Sequence, residues 1–192
     1  MIYFTADQHF GHKNILEFCN RPFSTIEEHD VELIKRWNEV VKDEDHVYVL
    51  GDFCYRPGPW CPIVNQLKGT FTFLRGNHDP KKIPRVALAN GTILQPSNDV
   101  YENNYFVEEL VIKFEGQYIR MCHYPYDEDE STSVTLRGAP KRNPRKRDDE
   151  ILVHGHVHLA WKKKENMINV GVDHWDYKPA SLKDVFELFR SK

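Results

Sequence analysis

Carboxylate, amide and imidazole side chains follow five segments of the sequence that have the pattern of short strands. In chain order, these polar residues are Asp7, His9, Asp52, Asn77, His78, His123, His156 and His158. Open α/β sheets gather such groups at the ends of their strands, so we expect them to share one site. Carboxylate and amide oxygens and neutral imidazole are ligands that divalent manganese, iron, nickel and zinc accept. Apart from His78, the set offers too many ligands for one tetrahedral ion and predicts two ions that share a bridging carboxylate.

The spacing within two of these clusters supports a shared site. Asp7 and His9 are two residues apart, as are His156 and His158. Alternate residues of an extended backbone face the same side, so each pair is expected to point in one direction. The glycines at positions 11, 51, 76 and 155 would let the backbone turn tightly and let a ligand approach closely. A lone aspartate after one strand usually belongs to a turn, and a lone histidine there is usually a surface or hydrogen-bonded side chain. Such residues after five different strands are hard to explain without a shared function.

The elements that position these residues alternate in the first half of the chain. Strands are predicted over 2–6, 46–50 and 70–74. Helices are predicted from the capping box at residues 24–27 to about Val41, over 60–67 and from Pro80 to about Ala89. The capping box Ser24-Thr25-Ile26-Glu27 predicts the start of the first of these helices, and Pro80 favours the start of the last.

From Thr92 onward the pattern is mostly that of strands. Segments 105–114 and 117–123 flank the predicted hairpin turn Glu115-Gly116, and a polar loop is predicted over 127–150. Short strands over 151–153 and 167–170 precede a helix over 182–189 that Ser181 would cap. Together the elements predict an α/β fold with a mixed sheet, in a single domain that covers residues 1–192.

The composition excludes several classes of protein. Hydrophobic residues make up 40% and charged residues 29% of the 192 residues, which excludes collagen-like and largely disordered chains. No apolar run approaches the about 18 residues of a membrane span. The net charge of −3 does not indicate a general nucleic-acid binder. The four cysteines form no CxxC pair, and no signal peptide is found, so we predict a cytoplasmic protein with free thiols and no membrane partner.

Five short motifs, taken in order, resemble those of the calcineurin-like metallophosphoesterase superfamily. They are Asp7-Gln8-His9, Gly51-Asp52, Gly76-Asn77-His78-Asp79, His123 and Gly155-His156-Val157-His158. The opening Ala-Asp-Gln-His-Phe-Gly-His-Lys-Asn-Ile and the later Cys-Asn-Arg-Pro-Phe resemble a small single-domain bacterial and phage branch of that superfamily. The resemblance implies a four-layer α/β/β/α sandwich of mixed sheets.

The resemblance also implies a division of the ligands between two divalent metal ions. The first ion would be held by Asp7, His9, Asp52 and His158, and the second by Asp52, Asn77, His123 and His156. Asp52 would bridge the ions. The implied enzyme is a dinuclear metal-dependent phosphoesterase in which a metal-bridged hydroxide attacks the phosphate ester. Manganese is the preferred metal, with iron, nickel, zinc or magnesium as alternatives.

Three residues beside the third motif are candidates for catalysis. His78 directly follows a predicted ligand and is expected to act as general acid or to stabilise the transition state. Asp79 is predicted either to orient His78 or to cap a helix before Pro80. Arg75 is predicted either to bind the substrate phosphate or to be an exposed arginine at a strand end.

The sequence specifies the identity of the substrate less closely than it specifies the type of reaction. A nucleotide or nucleic-acid-derived phosphate is preferred, because the paired histidines resemble the nuclease, phosphodiesterase and small-phosphatase branches. A general phosphomonoesterase, including a protein phosphatase, is the close alternative, and a non-catalytic scaffold such as one retromer subunit is the other. His12, Arg21 and Tyr124 are candidates for substrate contact, with structural support or core packing as their alternative roles. Six basic residues within 137–147 predict either an electropositive flap over the site or a solvated loop.

Overall fold

The computed structural model describes most of the chain as strands and helices joined by short turns. The described residues are 1–55, 60–79, 86–87, 93–94, 107–126, 144, 147 and 149–191. Their strands are β1 (Ile2–Thr5), β2 (His46–Leu50), β3 (Thr70–Leu74), β4 (Val86–Ala87), β5 (Ile93–Leu94), β6 (Glu109–Phe114), β7 (Gln117–Cys122), β8 (Glu150–His154), β9 (Lys163–Lys164), β10 (Met167–Asn169) and β11 (Ala180–Ser181). The helices are α1 (Ile15–Phe18), α2 (Ile26–Val40), α3 (Trp60–Val64) and α4 (Leu182–Arg190). Short 3-10 turns cover His158–Ala160 and Val172–His174.

Nine of these strands form two mixed sheets. The first sheet has the order β11-β1-β2-β3, with β1, β2 and β3 parallel and β11 antiparallel to β1. The second has the order β6-β7-β8-β10-β9, with β7, β8 and β10 parallel and antiparallel strands at both edges. Parallel strands lie side by side with the same polarity, so the carboxyl ends of β1 to β3 meet at one edge.

Apolar packing on both faces of the first sheet fixes the layers of the fold. Helix α2 lies on one face, where Leu33 and Trp37 pack with Val47, Val49 and Phe73. The opposite face meets the second sheet through a buried cluster that includes Phe4, Leu50, Leu74, Ile119, Met121, Ile151 and Val153. Burying a side chain of this size contributes about 1.5–3 kcal/mol, so this interior holds the two sheets together firmly. The arrangement is the predicted α/β sandwich of mixed sheets.

The start of α2 differs by one residue from the prediction. The helix is capped by Thr25, whose hydroxyl accepts a hydrogen bond from the Glu28 N–H at 3.1 Å. The carboxylate of Glu28 in turn accepts from the Ser24 N–H at 2.7 Å. The predicted pair of Ser24 and Glu27 is therefore wrong, because Thr25 and Glu28 have the same spacing one position later.

The helix predicted from Pro80 to about Ala89 is wrong in its described part. Val86 and Ala87 form β4, which pairs antiparallel with β5. A proline at position 84 explains the error, since proline inside a helix removes a hydrogen bond and clashes with the preceding turn. The rest of that segment lies outside the described residues, as does most of the predicted basic flap over 137–147.

Other predicted elements are found close to their expected bounds. Strands β2 and β3 coincide with the predicted segments, and β6 and β7 form the predicted hairpin. Glu115 and Gly116 both have positive φ, as a two-residue type I′ turn requires. Ser181 caps α4 in a capping box with Asp184. Helix α1 was not predicted.

Within the part of the chain that the structure describes, no helix is both long and apolar enough to cross a bilayer.

Candidate metal centre

Asp52, at the end of β2, lies between histidines from two other strands. Its Oδ2 is 3.5 Å from Nε2 of His9 and 3.5 Å from Nε2 of His123. Its Oδ1 accepts a hydrogen bond from the His78 N–H at 2.8 Å. One carboxylate oxygen thus faces two imidazole nitrogens that approach it from the first and the second sheet. This is the arrangement that a carboxylate bridging two metal ions requires.

Asn77, after β3, joins two of the remaining predicted ligands. Its Oδ1 is 3.1 Å from Nε2 of His123 and 3.0 Å from Nδ1 of His156. Nδ1 of His123 lies 2.8 Å from the Leu50 carbonyl, to which it donates when protonated. This hydrogen bond orients the ring, so that Nε2 faces both Asn77 and Asp52. The atoms predicted to hold the second ion are therefore grouped around one point.

Asp7, His9 and His158 form the other group of predicted ligands. Their ligand atoms lie within 4.8 Å of one another, and the rings of His9 and His158 stack with centroids 5.2 Å apart. Nε2 of His9 is buried and has no hydrogen-bond partner among the described residues. A buried polar atom without a partner costs about 1–3 kcal/mol, which a metal ion at this point would remove. The donors present, imidazole and carboxylate, fit a divalent ion of the predicted kind.

The backbone at these ligands is left-handed, where the spacing of two had predicted extended strands. Positive φ values between 44° and 72° are found at Asp7, His9, Asp52, His156 and His158. The prediction of extended backbone at these pairs was wrong, and the side chains converge through tight turns after the strands. Such conformations cost about 1–3 kcal/mol each and persist where the surrounding structure determines them, most often at functional sites.

Two of the glycines highlighted by the sequence leave room for ligand carboxylates. A Cβ on Gly76 would lie 2.1 Å from Oδ1 of Asp52, and one on Gly155 would lie 2.6 Å from Oδ2 of Asp7. Any side chain at these positions would displace a predicted ligand. Neither glycine has positive φ, so close approach is the reason for glycine here.

Arg21 was a candidate for substrate contact, and the structure contradicts that role. Its side chain is fully buried and donates to the carbonyls of Asp7 at 2.7 Å and Gln8 at 2.9 Å. It also forms a two-point ion pair with Asp173, with N–O distances of 2.8 and 3.1 Å. The Arg21 guanidinium is therefore bound inside the protein, where it stabilises the loop that carries Asp7.

Asp173 is a residue of the site that the sequence did not reveal. Its Oδ2 accepts a hydrogen bond from Nδ1 of His158 at 3.0 Å, while Arg21 binds the same carboxylate. The Asp173 carboxylate therefore fixes the ring of a predicted metal ligand. A carboxylate behind a histidine ligand orients the ring and raises its basicity. The only sequence signal was that Asp173 follows the paired histidines by one short strand.

Charges within the centre divide its histidines into two classes. Burial opposes the charged form of both His158 and His123. The charge of Asp7 and the Asp173 hydrogen bond nevertheless raise the pKa of His158 to about 11, and Asp52 raises the pKa of His123 to about 9. Burial lowers the pKa of His156 to about 3. Without a metal ion, two imidazolium groups therefore stand where cations are expected to bind.

His78 is exposed at the centre, whereas the Asp79 carboxylate behind it accepts hydrogen bonds from backbone N–H groups. The His78 ring centroid is 5.2 Å from that of His9, and the side chain lines the cleft in front of the ligands. Asp79 accepts hydrogen bonds from the N–H groups of Asp52 at 2.7 Å, Phe53 at 3.1 Å and Gly76 at 2.8 Å. Both of its oxygens are thus used in tying the loop after β2 to the loop after β3. Orientation of His78 by this carboxylate is not what the structure shows.

Arg75 and Tyr124 are not placed for the substrate contacts proposed for them. The Arg75 guanidinium pairs with Glu108 at 3.3 Å, and Arg75 is absent from the residues that line the cleft. Tyr124 is buried, with its ring centroid 4.9 Å from those of His123 and His156, so it supports these rings from within the protein. Core packing is therefore the better account of Tyr124. Arg75 is not the exposed strand-end arginine of its alternative either, because its side chain is only 18% exposed and is paired with Glu108.

The predicted ligands open onto a cleft with a volume of about 420 Å³. One part of its wall is polar and consists of His9, Asp52, Asn77, His78, His156 and His158. The other part is largely apolar and consists of Ile15, Phe18, Cys19, Val157, Leu159 and Ala160, with His12 between the two parts. Of the three candidates for substrate contact, only His12 reaches this cleft.

Comparisons with known proteins show the family to which the chain belongs. A family model described as "Calcineurin-like phosphoesterase superfamily domain" matches residues 2–177. An uncharacterized protein of Methanocaldococcus jannaschii is 32% identical over 198 residues, which cover 97% of this chain and 90% of that protein. The gene 66 protein of Mycobacterium phage L5 is 28% identical, over 97% of this chain and 92% of its own length.

A solved structure extends the similarity to three dimensions. The crystal structure of a protein of unknown function from Aquifex aeolicus superimposes with a TM-score of 0.67 at 26% identity, and the match covers 98% of each chain. The family model, for its part, includes every predicted ligand from Asp7 to His158. The chain therefore belongs to the calcineurin-like phosphoesterase superfamily.

Proposed function

We propose that this protein is a dinuclear metal-dependent phosphoesterase. The observation that carries the proposal is the position of Asp52, whose Oδ2 lies 3.5 Å from the Nε2 atoms of both His9 and His123. A carboxylate that approaches two imidazoles without hydrogen-bonding closely to either has the position of a bridging ligand. The unpartnered Nε2 of His9 supports the same assignment.

The ligands divide into two sets that share this carboxylate. The first ion is assigned to Asp7, His9, Asp52 and His158, and the second to Asp52, Asn77, His123 and His156. Two bound divalent ions would lower the pKa of a shared water and neutralise the charge of the phosphate ester. The donors are oxygen and imidazole nitrogen, which suits manganese first and iron, nickel, zinc or magnesium as alternatives.

His78 is assigned the proton transfer to the leaving group. It lies in the exposed part of the cleft, next to a residue of the second ligand set, and its N–H is anchored at 2.8 Å to Oδ1 of Asp52. This anchor places the imidazole at a defined position relative to the bridging carboxylate. Histidine is the side chain that most often transfers a proton in general acid catalysis, and His78 lies in the cleft where a leaving group would need one.

Hydrolysis of a phosphate ester is favoured over a scaffold role by the completeness of the centre. A scaffold has no need for strained backbone at five ligands or for glycines that leave space for their carboxylates. A nucleotide or nucleic-acid-derived ester remains the proposed substrate, and a general phosphomonoesterase remains the alternative. The proposed location is the cytoplasm, and the free thiols of Cys19, Cys54 and Cys122 are compatible with a reducing compartment.

The experiment that tests the proposal combines metal content with a substrate panel. The purified protein is loaded with Mn²⁺, and elemental analysis is expected to give two ions per chain. Hydrolysis of bis-p-nitrophenyl phosphate, p-nitrophenyl phosphate and cyclic nucleotides is then compared under several divalent ions. Faster turnover of the diester supports a phosphodiesterase, and faster turnover of the monoester supports the alternative. Two bound ions without hydrolysis of any ester would contradict an enzymatic role.

A further inference from the structure

Exposed apolar side chains are concentrated beside the metal centre. Among the described residues, the large apolar side chains that are exposed are Met1, Phe18, Val31, Tyr55, Val111, Tyr118 and Leu159. Three of the seven, Phe18, Tyr55 and Leu159, lie at or next to the cleft that contains the predicted ligands. Apolar groups left in water next to a reactive centre are a mark of ligand contact. We call these three residues the apolar rim.

The apolar rim is joined to the predicted ligands by a series of ring contacts. His12 stacks on Tyr55 with ring centroids 4.1 Å apart and planes inclined by 6°. The same imidazole lies edge-on to Phe18 at 6.3 Å, and its Nδ1 is 3.3 Å from Nδ1 of His9. Only one ring, that of His12, therefore separates the predicted ligand His9 from Tyr55 and Phe18. A molecule whose phosphate reaches the metal ions would extend its other end over this surface.

Local structure explains why the rim faces outward. Helix α1 is a single turn in which Ile15 is buried while Phe18 is 72% exposed. Leu159 belongs to the 3-10 turn that begins at the ligand His158, and it is 51% exposed. Both apolar side chains are thus carried by short turns attached to the loops that hold the centre. Their position relative to the ligands is fixed by those loops.

The charge of the cleft wall indicates which kind of organic group the cleft could bind beside the phosphate. The residues that line it include no lysine and no arginine, within the described part of the chain. Among the described residues, the apolar part of the cleft wall therefore offers no lysine or arginine to a second phosphate or to a long nucleic-acid backbone. A neutral planar ring would instead find aromatic faces, and stacking of a base on an aromatic side chain is favourable for every base.

We propose that the apolar rim is the subsite for the organic part of the ester and that it binds a nucleobase by stacking. The inference rests on the proposed phosphoesterase function, because the metal ions must hold the phosphate at the other end. The substrate class is then a phosphate ester of a single nucleoside. Phe18 and Tyr55 determine the preference for a base, and Leu159 contributes apolar contact.

Adenosine monophosphate and ribose 5-phosphate form a matched pair of probes, since they share the sugar phosphate and differ in the base. Each is tested as a competitive inhibitor of bis-p-nitrophenyl phosphate hydrolysis and by calorimetric titration of the Mn²⁺-loaded protein. We expect adenosine monophosphate to bind at least about fivefold more tightly. Phe18→Ala and Tyr55→Ala should each reduce this ratio toward one while the affinity for ribose 5-phosphate stays the same.

Tyr118→Ala is the control, because Tyr118 has the same 41% exposure as Tyr55 but lies in the β6–β7 hairpin, where its ring centroid is 5.0 Å from Nζ of Lys113, whereas Tyr55 stacks on the cleft residue His12. It should leave the ratio unchanged. Equal affinities for the two probes in the unaltered protein would overturn the subsite, as would a ratio that survives both substitutions. Hydrolysis and metal content are measured on the same samples. If the unaltered protein hydrolyses the diester but shows no base preference, the subsite is rejected and the phosphoesterase function still stands.

Discussion

The two proposed metal positions share Asp52, but their histidines are held by different kinds of contact. At the first position, the His158 ring is fixed by Asp173, which is itself bound by the buried Arg21. At the second, the His123 ring, which follows β7 of the second sheet, is fixed by the Leu50 carbonyl of β2 in the first sheet. One position thus depends on a buried ion pair between residues far apart in the chain, and the other on a backbone carbonyl of the facing sheet.

This difference predicts that the two positions can be impaired separately. A strand carbonyl cannot be removed by substitution and has no charge to lose. An aspartate held by a buried arginine can be neutralised by substitution, and without its charge the histidine that it orients is held less firmly. The contact at the second position forms whenever the two sheets pack together, so we expect the second ion to be the more securely held.

Removal of the shared carboxylate should have the largest effect. Asp52→Ala deletes a ligand of both ions, so we expect metal content to fall below one ion per chain and hydrolysis to fall to near background. Asp176→Ala is a suitable control, because Asp176 is 68% exposed and pairs with Arg36 away from the cleft. Elemental analysis and the diester assay measure both outcomes. Full activity in Asp52→Ala would exclude the dinuclear mechanism.

A change at His78 should separate catalysis from metal binding. His78→Ala is expected to keep both ions and to lower kcat about 10²–10⁴-fold, because the leaving group loses its proton donor. The loss should be smaller for nitrophenyl esters, whose leaving groups need no proton. Kinetics on a nitrophenyl ester and an alkyl ester, with metal content measured in parallel, check this. An equal loss for both esters would indicate that His78 stabilises charge instead of giving a proton.

The grouping of the proposed ligands could be predicted from the sequence, because it follows from residue type and from position after strands. Strands β2 and β3 have the predicted bounds, and the structure brings Asp52 and Asn77 from their ends into contact with the same histidine. Local pattern was sufficient here, since each residue is placed by the strand that precedes it.

The residues that hold the ligands were not accessible in the same way. Arg21 and Asp173 are 152 positions apart, and no periodicity or turn signal relates them. Tyr124 was a candidate for stacking because it is an aromatic residue beside a ligand, yet burial places it behind the centre. Phe18, by contrast, is exposed at the cleft on a single helical turn too short to be predicted from pattern. Which side of a site an aromatic ring occupies depends on tertiary packing.

Neutralising Asp173 should impair the first position alone. In Asp173→Asn the side chain keeps its shape but loses the charge that binds Arg21 and orients His158. We expect one ion to bind about 10–100-fold more weakly while the affinity for the other changes little. Calorimetric titration with Mn²⁺ resolves the two events, and Asp176→Asn is the matched control. Equal weakening of both ions would show that the two positions are not held independently.

The smallest expected difference between the two positions is in the pH dependence of metal binding, which is measured on the unaltered protein. The pKa of His158 is raised to about 11 and that of His123 to about 9, so both imidazoles carry a proton at pH 7 in the metal-free protein. A metal ion requires the neutral imidazole, and each ion should therefore displace one proton. Affinity for both ions should rise with pH, by about tenfold per unit for each displaced proton.

The two positions should then diverge as the pH approaches the lower of these values. The second ion gains little further affinity above about pH 9, because His123 is by then neutral, whereas the first continues to gain while His158 remains protonated. Calorimetry at pH 7 in buffers of different ionisation enthalpy counts the protons released. Two are expected from the two histidines, and ionisation of the shared water would add a third. Titrations between pH 7 and 9.5 follow the separate affinities. Release of no protons at pH 7 would mean that neither histidine is charged before the metal binds, and the electrostatic difference between the positions would then be absent.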